Sequence, residues 1–109
     1  MVTGSSWYTP ITCAASAGAI ANATAFSMGT FCGGTFSVPS GSSLTSLTFY
    51  CSDEKANTYQ AFYDAANAAV TMTVAADRVY VLPTAVNSAS WVKIVGNVEA
   101  PIHFLGKTL

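Results

Sequence analysis

The stretch "AAVTMTVAADRVYVLP" (residues 68–83) decides the fold. From Val70 to Val74 apolar and polar residues alternate. Val70, Met72 and Val74 fall on one side and Thr71 and Thr73 on the other, the period-two pattern of a half-buried strand. "AADR" breaks the pattern, and "VYVLP" is a second apolar run closed by Pro83. Two strands joined by a tight connection is the direct reading. Because the second run is apolar at successive positions, it is expected to be covered on both faces.

The same pattern continues upstream. In "LTSLTFYCSD", Leu47, Phe49 and Cys51 share one face, and Ser46, Thr48, Tyr50 and Ser52 the other. "DEKANT" follows as a charged tip. "YQAFYDA" then sets Tyr59, Ala61 and Tyr63 against Gln60, Phe62 and Asp64, and "AANA" (65–68) makes a second tip. Earlier, "FSMGTFCGGTFSVP" reads as a strand in which Gly29, Gly33 and Gly34 mark a bend or a close backbone approach. "PSGSS" (39–43) is a turn cluster. "WYTPITCAA" reads as a first strand, with Pro10 suited to a sheet edge. Between them, "SAGAIANATA" has enough alanine for a weak helix. Gly18, Asn22 and Thr24 interrupt it, and an extended linker is expected.

Downstream, "TAVNSAS" (84–90) suits a single helical turn after Pro83. "SWVKIVGN" and "PIHFLGKTL" close the chain as two more strands. The sum is about eight short strands with turn signals every 8–12 residues or so. An all-β fold is expected, an antiparallel sandwich or barrel, in which strands with one buried face must stack sheet on sheet. A parallel α/β fold would need helices of about 10 or more residues between strands, and none is legible. Residues 1–25 read as an N-terminal strand, arm and linker, and 26–109 as the sandwich, within one domain.

Composition narrows the function. Asp, Glu, Lys and Arg make up 8% of the 109 residues, against about 25% in an average soluble domain. Such a surface resists association weakly. The net charge is −1 and the cations Lys55, Arg78, Lys93 and Lys107 are scattered, so no basic field exists to draw nucleic acid or an anionic membrane. No run approaches the ~18 apolar residues of a membrane span, and no targeting segment is legible.

Little in the sequence points to chemistry. His103 is the one histidine; "PIHFL" sets it on the face opposite Ile102 and Phe104, a surface or interface position rather than a general base. Asp53, Glu54, Asp64 and Asp77 fall at strand ends, without the spaced pattern and turn glycine of a calcium loop. Cys13, Cys32 and Cys51 are odd in number, so they cannot all pair internally. They lack metal-ligand spacing and read as buried, inert thiols. No catalytic, cofactor-binding or metal-binding residue is assigned. Trp7, Tyr8, Tyr50, Tyr59, Tyr63, Tyr80 and Trp91 are expected in the core and in contacts between subunits; the alternative is a sugar-binding face.

The motifs "FYCSD", "YQAFYD", "AVTMTV", "VYVLP" and "WVKIV", with a looser match at "TFSVPSGSSL" and "IHFLGK", resemble a small β-sandwich found in structural proteins of tailed bacteriophages. The similarity spans about residues 44–97. It departs from the usual pattern where "DEKANT" replaces a short Asp-Gly tip. The resemblance implies a jelly-roll-like fold and a non-enzymatic role in the virion. The role it suggests is a capsid decoration (cement) protein that binds the major capsid protein and associates with itself, most often as a trimer. It transfers no catalytic or ligand residues. The alternative is a tail or receptor-binding module that recognises surface carbohydrate; a small hydrolase using His103 is a third class.

Overall fold

The computed structural model describes residues 6–29, 31, 33–56 and 58–107, without the side chains of Ser6, Trp7 and Tyr8. The N-terminal arm residues 1–5 and Cys32 therefore lie outside the described residues, as do the Trp7 and Tyr8 rings. Among the described residues there are nine strands: β1 (Ser6–Cys13), β2 (Phe26–Ser27), β3 (Gly33–Val38), β4 (Ser46–Ser52), β5 (Gln60–Ala61), β6 (Thr71–Thr73), β7 (Arg78–Val81), β8 (Trp91–Gly96) and β9 (Ala100–Lys107). Two short 3-10 segments, Ala17–Asn22 and Thr84–Ser88, complete the order.

The first sheet runs β1-β9-β3-β7; the second runs β2-β8-β4, with β5 and β6 both on the far side of β4. β5 lies against Tyr50 and Cys51, and β6 against Ser46–Thr48. They are two parts of one strand, interrupted where residues 63–69 loop out between Phe62 and Val70. The loop is pinned because Phe62 N–H donates to the Phe49 carbonyl and Phe49 N–H to the Val70 carbonyl. Counted so, each strand pairs with its mirror in the chain: β1 with β9, β2 with β8, β3 with β7, β4 with β5 and β6. The chain is one long hairpin with its tip after Ser52. It is rolled so that β9 meets β3 and β8 meets β4. That is a jelly-roll sandwich.

The stretch 68–83 departs from its direct reading. β6 and β7 do not pair; they belong to opposite sheets. The chain crosses at Val74–Asp77, where Val74 N–H donates to the Thr45 carbonyl (3.0 Å) and Asp77 N–H to the Val38 carbonyl (2.9 Å). Between them Ala75 N–H donates to the Tyr80 hydroxyl (2.8 Å). A two-residue hairpin turn needs positive φ, usually supplied by glycine; "AADR" has none, and only Asp77 enters that region (φ 63°). Val70 and Val74 do point inward and Thr71 and Thr73 outward. "VYVLP" is not covered on both faces: Tyr80 turns in and stacks on Phe36 (5.6 Å), while Val79 and Val81 remain 68% and 74% exposed. β7 is an edge strand.

A second departure is Ala17–Asn22, which forms 3-10 turns instead of an extended linker. Ala and Gly allow so tight a turn to lie flat on the second sheet, where Ile20 packs on Ala14, Ala23 and Val95. The turn after Pro83 and the edge position of β1, with Pro10, match the sequence reading.

The space between the sheets is filled by Phe26, Phe36, Phe49 and Phe104 with Leu44, Leu47, Met28, Ile94 and Ile102, and no polar or charged side chain among the described residues is buried. Phe26 and Phe104 rings lie 4.7 Å apart. Gly34 and Gly106 face each other across β3 and β9. A Cβ on Gly34 would overlap the Leu105 carbonyl, and one on Gly106 would stand 2.8 Å from the Phe31 ring. Glycine at 34 lets β3 come close to the backbone of β9, and glycine at 106 leaves room for the Phe31 ring. Phe104→Ala should cost about 3–5 kcal/mol and Val81→Ala less than about 0.5 kcal/mol, read from urea unfolding midpoints.

Candidate interaction surfaces

The outer face of the first sheet follows from the register. Since Ile102 and Phe104 are buried, His103 and Leu105 point the other way. Cross-strand rows then read Val79–Ser37–His103–Pro10 and Val81–Thr35–Leu105. These rows contain no carboxylate, lysine or arginine. They form a flat face of small and apolar groups, most exposed at the two valines of β7.

The outer face of the second sheet differs. Ser52 faces Trp91 and Tyr50 faces Lys93 across β4 and β8. Lys93 Nζ lies 4.8 Å from the centre of the Tyr59 ring and donates to the Ile20 carbonyl (3.3 Å). Lys55 Nζ lies 5.8 Å from the centre of the Trp91 ring, and the Tyr59 hydroxyl donates to the Lys55 carbonyl (2.9 Å). These contacts hold the Ala17–Asn22 segment and the β4–β5 loop onto the sheet. Each cation–ring contact is worth about 0.5–1 kcal/mol at a solvent-accessible site.

Of the aromatics expected in the core and in contacts between subunits, Tyr80 packs against the main core and Tyr50 against the small Ala14–Ala23–Val95 cluster, while Tyr59 and Trp91 are half-buried on this outer face and Tyr63 is 53% exposed. The pairing of lysines with these rings was missed in the sequence. The alternation Trp91-x-Lys93 does put both on one face, but their partners come from the β4–β5 region, which no spacing within β8 indicates.

The chemically versatile residues are dispersed. Asp53 and Glu54 lie in the β4–β5 loop and Asp77 at the sheet crossing. Asp64 caps its own loop, its Oδ1 accepting from Ala66 N–H (2.9 Å) and Ala68 N–H (3.0 Å). His103 sits half-buried between Pro10 and Ser37 in register. Among the described residues no three of His, Cys, Asp and Glu come together as metal ligands, and no helix is long and apolar enough to cross a membrane. Cys13 is buried and Cys51 half-buried, both as free thiols. Burial pushes the Cys13 thiol up to about 12 and that of Cys51 up as well.

No family model matches the chain, and no curated protein or solved structure does so either.

Cys13 makes stability depend on alkaline pH. Its folded pKa, about 12, lies above the ordinary thiol value of 9.0, so the unfolded chain loses the proton first. Stability from the neutral thiol is complete below pH 9 and falls as pH rises towards 12. The slope approaches ~1.4 kcal/mol per pH unit. Urea unfolding between pH 8 and 11 should show this slope, and Cys13→Ala should remove most of it, leaving the weaker dependence of Cys51 and Tyr59, which burial also pushes up. Lys93→Met keeps the aliphatic stem but loses the charge and the hydrogen bond to Ile20; it should cost ~1–2 kcal/mol in the same measurement.

Proposed function

We propose that the protein is a virion structural subunit, a capsid decoration (cement) protein that lies on the major capsid protein and stabilises the shell. The observation that carries this reading is the uncharged patch on the outer face of the first sheet, from Val79 and Val81 across to Leu105 and Pro10, with Lys107 at its margin. A flat face without charges is cheap to desolvate. Covering it returns roughly 25 cal/mol per Å² of apolar area. The sequence resemblance and the jelly-roll path favour the same role, although a fold alone does not assign one. In this reading the copies meet each other as well as the shell.

The reading predicts that particles lacking the protein release their genome at lower temperature or lower salt than decorated ones. Leu105→Glu, which places a charge in the centre of the proposed contact face, should lower occupancy on the shell at least tenfold. Unchanged particle survival without the protein would remove the stabilising role. Full occupancy by Leu105→Glu would remove this face as the contact.

The carbohydrate-binding alternative has one observation in its favour, the Tyr50–Tyr59–Trp91 group on the second sheet. The two lysines lie over the Tyr59 and Trp91 rings, where a sugar would have to stack. A glycan array with the protein and with Trp91→Ala decides it: specific binding lost on substitution would replace the shell reading with this one.

A further inference from the structure

We propose that two copies of this chain join edge to edge through β7 across a two-fold axis, making one eight-stranded sheet from two four-stranded ones. This does not rest on the shell reading, since the contact is a property of the isolated protein.

Leu82 N–H donates to the Gly34 carbonyl (3.0 Å), just beyond the paired residues Thr35–Val81. In an antiparallel ladder alternate residues exchange hydrogen bonds with a given neighbour. Leu82, Tyr80 and Arg78 therefore direct their groups to β3. Val79 and Val81 direct their N–H and C=O to the open side. Their side chains are also the two exposed large aliphatic groups among the described residues, at 68% and 74%.

The other sheet edges are blunted. On β1, Pro10 has no N–H, and Thr12 N–H and C=O are taken by Thr24, through its Oγ1 (3.0 Å) and N–H (3.0 Å). Beyond it Ala14 leaves for the second sheet, donating to the Ile94 carbonyl. β2 is two residues long. The β5–β6 edge is broken by the 63–69 loop. Such interruptions are how proteins protect sheet edges from pairing. Among the described residues β7 alone keeps a regular edge with apolar side chains on it.

The occupant is set by symmetry. Val79-Tyr80-Val81 reads the same in both directions, so β7 is its own antiparallel partner. With Tyr80 facing Tyr80 of the second copy, Val79 of each copy meets Val81 of the other, and all the outward N–H and C=O groups of the valines are paired. A shift by one residue sets outward groups against inward ones, and a shift by two loses half the bonds. In the matched register the four valines form one cluster on the outer face. Arg78 falls opposite Leu82 of the second copy, so no like charges meet. A foreign strand would have to supply this alternation; a second copy already carries it. Paired over so few residues, the contact is smaller than the ~1,200 Å² of a stable interface. Dimerisation is therefore concentration-dependent, with a dissociation constant on the order of 10⁻⁵–10⁻³ M.

Sedimentation equilibrium from about 10 μM to about 1 mM tests this on the purified chain. The wild type should pass from monomer to dimer. Val79→Lys/Val81→Lys and Val79→Glu/Val81→Glu should each stay monomeric with unchanged circular dichroism, because like charges meet across the axis. An equimolar mixture should regain dimers, because the substituted positions then carry opposite charges. A wild type that stays monomeric throughout, a dimer that survives both substitutions, or a mixture that remains monomeric overturns the proposal. Hydrogen exchange of the wild type serves if a variant fails to fold. The Val79 and Val81 amides should slow with rising protein concentration, and rates independent of concentration overturn it as well.

Discussion

β1 lies alongside β9 over eight residue pairs, from Ser6 with Lys107 to Cys13 with Ala100, and that pairing of the first strand with the last constrains everything between them. Once the two ends are side by side, the chain can satisfy its backbone only by folding double and pairing inward strand by strand. β9 then takes β3 on its other side, which curls the doubled ribbon and brings its faces together. The closing contacts join residues far apart in the chain, so loop-closure entropy must be met before they contribute. Folding of this topology is expected to be slow relative to a meander of the same size.

The interior answers that constraint with apolar groups alone. Four phenylalanines, supported by leucine, isoleucine, valine and methionine, fill the layer between the sheets. With no buried charged side chain among the described residues, orientation comes from shape: the ring contacts of Phe26 and Phe31 with Phe104, Gly34, which lets β3 approach β9, and Gly106, which makes room for the Phe31 ring. Charges are spent outside and sparingly. Lys93 and Lys55 act as clips over aromatic rings, and Asp64 holds its own loop. The remaining exterior carries only six charges, Asp53, Glu54, Asp77, Arg78, Glu99 and Lys107, which is why contact with other molecules is the natural place to look for function.

Much of the fold was legible. Alternation located β4, β6, β8 and β9 and told which side chains point inward, because burial of one face imposes a period of two. It could not tell which strands are neighbours. "AVTMTV" and "VYVLP" look like the arms of a hairpin, yet Val74–Asp77 carries the chain between sheets. The period is the same in either case. In β7 the period is silent, since Val79, Tyr80 and Val81 are all apolar; only the pairing with β3 shows that the tyrosine goes in and the valines out. The Ala17–Asn22 turns were hidden because small residues tolerate many conformations. The lysine–ring contacts were hidden because their partners come from separate strands.

The rolled hairpin is the claim on which the surfaces, the edges and the proposed contacts all depend. Cross-strand nuclear Overhauser contacts in solution test it directly. The account predicts close backbone contacts between Ile11 and Ile102, Leu47 and Met72, and Phe36 and Tyr80. Contacts joining Thr71–Thr73 directly to Val79–Val81 as a hairpin, with none between Leu47 and Met72, would contradict it.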